Sequence, residues 1–324
     1  MDAVLTGLRA AAEPTRLRLL SLLAQGDLTV SEITHILGQS QPRVSRHLKL
    51  MCDAGLLDRF PEGAWVFYRV AAKGDGAVLA SHLLQLLPSD DPTLTLDQQR
   101  LEAIRSQRAT RAQDYFTENA SRWDQIRGLH VDESEVERAL VAAFAGRQVR
   151  DLVDMGTGTG RVLQLLAPHI GQGIGIDLSR DMLAVARANL ESAGLRHCMV
   201  RQGDITQLPL PAAAADAVTI HQVLHYAADP AAVVAEAARV LKPGGLLVIV
   251  DFAPHDLEAL RDQHAHRRLG FSDSEVEGWL RTAGLEPVGV TRLPGQPLTV
   301  VLWRAERAAP TETIKKTEPT GASA

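Results

Sequence analysis

Short apolar-periodic segments dominate the first ninety residues and predict a small helical domain. One helix is predicted over residues 14–24, and Thr29 with Glu32 three residues later is a capping box that begins the next helix. A third helix is predicted from Ser40, in which Val44, Leu48 and Met51 recur at a spacing that places them on one buried face. Residues 57–60 and 65–70 then predict a hairpin, and residues 76–87 a last apolar helix.

The second half alternates apolar strands with amphipathic helices. Strands are predicted at residues 151–155, 173–177, 199–202, 217–220 and 246–251, and residues 298–304 are expected to close the edge of the sheet. Strands separated by helices favour a parallel sheet with right-handed crossovers, which is the α/β doubly wound, Rossmann-like arrangement. The pattern predicts a winged helix-turn-helix domain of α+β type over residues 1–90, a linker and connecting helix over 91–112, an α/β domain over 113–306 and a disordered tail over 307–324.

Composition and charge favour a protein that binds nucleic acid and disfavour a membrane or secreted protein. The chain has 324 residues and a net charge of −5, yet the segment from Ser40 to Lys73 contains six basic residues and only three acidic ones. That local excess favours a nucleic-acid surface at this place. No apolar run reaches the roughly 18 residues that span a bilayer, and the amino terminus lacks a secretory pattern. The two cysteines, Cys52 and Cys198, fall in different domains, so we expect a cytoplasmic protein without disulfides or membrane contact.

The helix from Ser40 has the character of a DNA-recognition helix, with polar side chains off its buried face. Together with the hairpin, the run from Ser40 to Leu57 resembles the ArsR-type winged-helix repressors of bacteria. The resemblance implies binding to double-stranded operator DNA and a homodimer that pairs through residues 3–12 and 76–87. The residues expected to contact DNA are Ser40, Gln41, Arg43, Ser45, Arg46, His47 and Lys49, with Arg69 in the hairpin.

Metal sensing, common among ArsR-type repressors, is not expected in this chain. Many members of that family respond to metals through a cysteine pair in the helix before the recognition helix, and the matching residues 28–32 contain no cysteine. The last helix of the domain offers only His82, which is too few ligands for a zinc site. No metal site is therefore predicted, and the signal that such a regulator answers must be another ligand.

A glycine-rich loop follows the first strand of the second domain. Gly156, Gly158 and Gly160 leave the backbone open to a ligand, and Asp177 ends the next strand where a carboxylate can bind ribose hydroxyls. The spacing differs from the Gly-x-Gly-x-x-Gly of dinucleotide sites, and acidic Asp154 precedes the loop. Both features disfavour a pyrophosphate and suit S-adenosylmethionine, whose amino-acid end carries a positive charge.

Five ordered motifs between residues 151 and 245 resemble class I methyltransferases, particularly the group that includes the ubiquinone and menaquinone biosynthesis enzymes. The resemblance implies that the loop residues hold the methionine part of the cofactor, that Asp177 binds the ribose and that Asp204 and Ile205 flank the adenine. The resemblance also implies that Tyr115 and Trp123 belong to a lid over the cofactor. The predicted binding set is Asp154, Gly156, Thr157, Gly158, Gly160, Asp177, Leu178, Met182, Asp204, Ile205, His221, Tyr115 and Trp123. S-adenosylhomocysteine is expected as product or effector.

Catalysis stays open at this point. Methyl transfer needs a base only when the acceptor must lose a proton, and His221 and His225 are candidates, one turn apart if their segment is helical. The alternative is that His221 lines the cofactor pocket and His225 is a packed histidine. Two functions remain: a transcriptional regulator whose second domain senses S-adenosylmethionine or S-adenosylhomocysteine, or an active small-molecule methyltransferase whose first domain regulates its own gene. Methylation of nucleic acid is disfavoured, because no base-flipping motif follows the fourth strand.

Overall fold

The computed structural model describes residues 1–62, 65–127, 132–264 and 266–309. Its first domain contains the helices α1 (Asp2–Ala11), α2 (Pro14–Leu23), α3 (Val30–Leu37), α4 (Gln41–Asp53) and α5 (Asp75–Gln85). The antiparallel strands β1 (Leu28–Thr29), β2 (Leu57–Glu62) and β3 (Trp65–Val70) form a sheet of order β1-β3-β2.

The sequence pattern correctly placed the helix-turn-helix. The Thr29 hydroxyl accepts from the Glu32 amide and the Glu32 carboxylate accepts from the Thr29 amide, so the predicted capping box is present at the start of α3. On α4, the side chains of Val44, Leu48 and Met51 are fully buried. Their burial fixes the opposite, polar face of α4 toward solvent.

A single 36-residue helix, α6 (Pro92–Arg127), connects the two domains. It begins earlier than residue 96, because Pro92 is well tolerated in a first turn where its missing amide donor is not needed. It packs on α2 and α3 of the first domain and on helix α9 (Arg180–Ser192) of the second. The predicted linker is therefore largely helical, and it contacts both domains.

The second domain is built on a seven-stranded sheet. Its strands are β4 (Val149–Met155), β5 (Ile170–Asp177), β6 (Cys198–Gln202), β7 (Ala215–His221), β8 (Leu241–Phe252), β9 (Leu285–Leu293) and β10 (Val300–Arg307). Its further helices are α7 (Glu133–Ala143), α8 (Arg161–Leu166), α10 (Pro230–Val240), α11 (Ala259–His264) and α12 (Asp273–Thr282). The order is β6-β5-β4-β7-β8-β10-β9, and β4 to β8 are parallel as predicted.

The expectation that residues 298–304 close the sheet is wrong. Strand β10 lies between β8 and β9 and is antiparallel to both, so β9 forms the edge at that end of the sheet. An edge strand buries little of its surface, and on β9 Val288 and Val290 are exposed. That strand therefore carries a weak apolar signal, whereas Trp303 on β10 is buried on the core side.

Candidate functional site

The loop after β4 and the end of β5 form one continuous hydrogen-bonded unit. The amides of Gly156 and Thr157 donate to the Ile176 carbonyl at 2.7 and 3.0 Å. The Gly158 amide donates to Asp177 Oδ2 at 2.8 Å, and Asp177 Oδ1 accepts from the Ser179 amide at 2.8 Å. The carboxylate of Asp177 is thereby fixed beside the loop, at the carboxyl edge of the sheet where ligands of open α/β sheets bind.

Two loop glycines are required for different reasons. Gly156 has a φ of 74°, and a Cβ there would lie 2.6 Å from Val223 Cγ2, so packing excludes any side chain. Gly158 has a φ of 52°, but a Cβ there would meet no described atom within 4 Å. The backbone at Gly158 therefore borders open space, as close approach of a ligand to the loop requires.

Asp154 places a buried carboxylate under the loop. Its side chain is 1% exposed, and Oδ1 accepts from the Thr219 hydroxyl at 2.7 Å. Oδ2 receives no hydrogen bond from the described residues. Burial raises the pKa of Asp154 to about 6, an effect that the nearby Thr157 hydroxyl and the Thr219 hydrogen bond oppose. A buried carboxylate oxygen without a donor is costly, and the ammonium group of S-adenosylmethionine would match this carboxylate in charge.

The other predicted cofactor residues lie at the same edge of the sheet. Leu178 is 68% exposed beside Asp177, Met182 is half-buried in the first turn of α9, and Ile205 is half-buried after β6. Asp204 is exposed, and hydrogen bonds from the Thr206 hydroxyl and amide lower the pKa of its carboxyl. The structure brings these residues to the ends of β5 and β6. Their contact with adenine or ribose stays a prediction.

The predicted lid residues cannot be placed. Tyr115 and Trp123 belong to α6, in a stretch whose side chains lie outside the described residues.

The two candidate histidines do not share a helix, so the condition for their one-turn spacing is not met. His221 ends β7, and His225 lies in the short 3-10 turn Leu224–Tyr226. His225 is 2% exposed, and its Nδ1 lies 2.8 Å from Oδ1 of the fully buried Asp251 at the end of β8. A proton on Nδ1 leaves Nε2 as the proton-accepting nitrogen. Asp251 was missed from the sequence, where it only ends the apolar run of β8.

The His225 ring is also tightly packed. The His266 ring stacks on it with centroids 4.0 Å apart, and the Phe252 ring lies 5.5 Å away. Burial lowers the pKa of His255, which lies close to the Phe252 ring. The arrangement can orient an imidazole as a base, and it can equally well anchor the loop that follows β8.

The recognition helix presents its predicted residues as follows. Ser40, Gln41, Arg43, Arg46 and Lys49 are exposed, whereas Ser45 and His47 are half-buried. His47 Nδ1 lies 3.9 Å from Glu13 Oε2, and burial lowers the pKa of its imidazole. Lys49 pairs with Asp53 at 2.7 Å in a solvent-exposed contact that a phosphate can readily replace. The exposed set forms one polar face on α4.

Arg69 faces the second domain instead of solvent. Its side chain is 15% exposed, Nη1 lies 3.7 Å from Asp27 Oδ1, and Nη2 donates to the Arg196 carbonyl of the second domain. In this arrangement Arg69 is not available to DNA. Its predicted DNA contact requires the hairpin to leave the second domain.

The described residues also bear on membrane insertion and metal binding. Within residues 1–62, 65–127, 132–264 and 266–309, no helix combines the length and apolar character needed to cross a membrane. In the same described part of the chain, no three His, Cys, Asp or Glu side chains are grouped so that they could hold a metal ion.

Comparison with known proteins identifies both halves. The family described as bacterial regulatory protein, arsR family, matches residues 13–59, and a methyltransferase domain matches residues 153–249. The chain is 34% identical over 178 residues to a ubiquinone biosynthesis O-methyltransferase of Ralstonia nicotianae, covering 49% of this chain and 71% of that protein. It is 32% identical over 132 residues to the uncharacterized methyltransferase YcgJ of Bacillus subtilis, covering 38% of this chain. It spans only 52% of the length of YcgJ.

Among solved structures, geranyl diphosphate methyltransferase in complex with S-adenosylmethionine matches with a TM-score of 0.50 and 19% identity, over 54% of this chain and 86% of that one. This likeness concerns the fold alone. Fold and site thus define an ArsR-type DNA-binding domain fused to a methyltransferase domain with a Rossmann-like sheet. The chain belongs to the class I S-adenosylmethionine-dependent methyltransferase family.

Proposed function

We propose that the chain is a cytoplasmic transcriptional regulator whose methyltransferase domain senses S-adenosylmethionine or S-adenosylhomocysteine. The observation that carries this proposal is α6, one continuous helix that packs on α3, next to the recognition helix, and on α9 of the cofactor-binding domain. A ligand changes DNA affinity only as far as it binds the two states of the protein differently. A helix that contacts both domains provides a physical connection for such a difference.

The loop and its neighbours would hold the adenosyl compound. In this proposal Asp154 would pair with the ammonium group, the Gly158 backbone would border the methionine chain, and Asp177 would bind the ribose hydroxyls. When bound, S-adenosylmethionine supplies an electrophilic methyl group on a sulfonium. S-adenosylhomocysteine lacks that methyl group and its charge, so a site can distinguish the two compounds.

The regulator would act as a homodimer on a two-fold operator. On α1, Val4, Leu5 and Leu8 are 47%, 42% and 41% exposed, and on α5 Val78 is 59% exposed. Helices α1 and α5 pack on each other, so these apolar side chains form one surface that a second copy would cover.

The test is a titration of operator DNA from upstream of the gene with the purified full-length chain, at one fixed salt concentration. The titration is repeated with S-adenosylmethionine and with S-adenosylhomocysteine. We expect at least one compound to change the dissociation constant several-fold. Equal affinity in all three titrations would refute sensing.

A second candidate function is methyl transfer to a small molecule, with the first domain regulating the same gene. The observation that favours it is the His225–Asp251 pair, because a proton on Nδ1 shared with Asp251 would leave Nε2 as the proton acceptor. In this function His225 would take the proton from an acceptor hydroxyl or amine. A radiolabelled methyl-transfer assay on a small-molecule panel tests it. Turnover that His225→Gln abolishes would support it, whereas no turnover with any acceptor would leave sensing as the function.

A further inference from the structure

Helix α9 touches the glycine loop with one of its faces. A Cβ on Gly160 would lie 3.2 Å from Ala186 Cβ, so the loop and the helix are in close contact there. Three residues further along, Asn189 Nδ2 donates to the Thr159 carbonyl of the loop at 2.9 Å. Because residues three apart lie on the same side of a helix, Ala186 and Asn189 both contact the loop from one face of α9. A movement of the loop would therefore act directly on α9.

Another face of α9 contacts the wing, which we define as strands β2 and β3. Arg187 Nη1 donates to Glu62 Oε1 at 3.0 Å, and Nη2 pairs with the other carboxylate oxygen. The Arg187 side chain is 7% exposed and that of Glu62 is fully buried. The guanidinium also lies 4.0 Å from the Phe67 ring centroid on β3. One arginine of the cofactor-binding domain therefore fixes both strands of the wing.

One helical turn after Arg187, Glu191 links α9 to the helix-turn-helix. It pairs with Arg108 of α6, whose Nη2 also donates to both carboxylate oxygens of Glu32 at 2.9 Å and to the Asp27 carbonyl at 3.0 Å. Glu32 closes the capping box of α3, the helix directly before the recognition helix. The first turn of α3 is therefore tied to α9 through Arg108.

These contacts cannot stretch gradually. Separating Glu62 from Arg187 would leave a charge with no counter-charge at a buried position, which is strongly unfavourable. The wing must therefore either follow α9 or leave it completely, and such a choice between two arrangements gives an interface the character of a switch. In the docked arrangement Arg69 is also held, by the Arg196 carbonyl.

We propose that α9 couples the adenosyl-ligand site to the DNA-binding domain, with the Glu62–Arg187 pair as the contact that holds the wing away from DNA. The inference rests on the proposed function, of which it gives the mechanism. Ligand at the loop shifts Ala186 and Asn189, and the shift reaches the wing through Arg187 and α3 through Glu191. The docked wing makes no backbone contacts with DNA, and its release restores them.

The experiment uses the full-length chain and compares wild type with Glu62→Gln, Arg187→Gln, the double variant and Asn189→Ala. Operator affinity is measured with and without S-adenosylhomocysteine. Glu306→Gln is the matched control, since it removes an arginine-paired carboxylate within the second domain. If wild type and control respond about tenfold to the ligand, the response of Glu62→Gln and Asn189→Ala should fall below about twofold. Without ligand, Glu62→Gln should bind DNA more tightly than wild type.

The double variant tests the pair itself. Its loss of ligand response should be no larger than that of either single variant, because all of them remove one shared contact. Should Arg187→Gln fail to fold, two variants still test the coupling: Glu62→Gln removes the contact of α9 with the wing, and Asn189→Ala removes its contact with the glycine loop. A full ligand response in both of these variants would overturn the role of α9.

Hydrogen exchange separates failure of this inference from failure of the proposed function. S-adenosylhomocysteine should change exchange of the wing amides in wild type and leave them unchanged in Glu62→Gln. If wild type shows this change but no ligand effect on DNA affinity, sensing fails and the coupling through α9 stands. If the ligand changes exchange only in the loop and sheet, the inference fails, whatever happens to DNA affinity.

Discussion

The affinity for S-adenosylhomocysteine should rise with pH, because Asp154 must be ionised to hold the ligand's ammonium group. Burial raises the pKa of Asp154 from the usual 3.8 to about 6. With that pKa, the ionised fraction grows from about one tenth near pH 5 to about nine tenths near pH 7. If only the ionised form binds, the dissociation constant should fall about tenfold over this range.

Titration calorimetry on wild type and Asp154→Asn measures this effect. The amide keeps the shape of the side chain and can still accept from the Thr219 hydroxyl, so the variant isolates the charge. We expect Asp154→Asn to bind more weakly near neutral pH, by about tenfold or more, with an affinity that hardly changes with pH. A flat wild-type profile, or a variant whose profile is as steep as that of wild type, would refute the role of Asp154.

Three further predictions follow from particular residues. In the ligand-free chain the raised pKa of Asp154 makes its ionisation destabilising. Its contribution to the free energy of unfolding should therefore fall by roughly 3 kcal/mol as pH rises from about 4 to about 6. Denaturant unfolding should show that the free energy of unfolding depends less on pH in Asp154→Asn than in wild type. Gly158→Ala should lower stability by only about 1–2 kcal/mol, for its positive φ, but should greatly weaken ligand binding, and unchanged ligand affinity would contradict the placing of the ligand over this backbone. Arg46→Ala should weaken binding to operator DNA and reduce the slope of log affinity against log salt concentration by about one. An unchanged slope would show that Arg46 does not contact the DNA backbone.

Periodicity and capping predicted the helix-turn-helix well, because these signals are local. Thr29 and Glu32 define the start of α3 within four residues of sequence, and the buried face of α4 follows from three apolar side chains. The glycine loop and Asp177 were also predictable, since their spacing reflects the backbone geometry of a strand and its turn.

Contacts between distant segments could not be predicted in this way. Glu62 lies between the two predicted strands of the hairpin, yet β2 extends through it, and its carboxylate pairs with Arg187, 125 residues away. Arg69 was assigned to DNA from its position in the hairpin, and nothing near it in sequence indicates the Arg196 carbonyl. Asp251 likewise acquires its histidine partner only when β7 and β8 lie side by side.

The central claim is that occupation of the methyltransferase domain changes the affinity of the recognition helix for DNA. The most direct test closes the thermodynamic cycle: calorimetric affinity for S-adenosylhomocysteine is measured with and without saturating operator DNA, and operator affinity with and without the ligand. Linkage requires the two fold-changes to be equal, and we expect both to lie at about five-fold or above. Ligand affinity that is the same on free and DNA-bound protein would contradict the account.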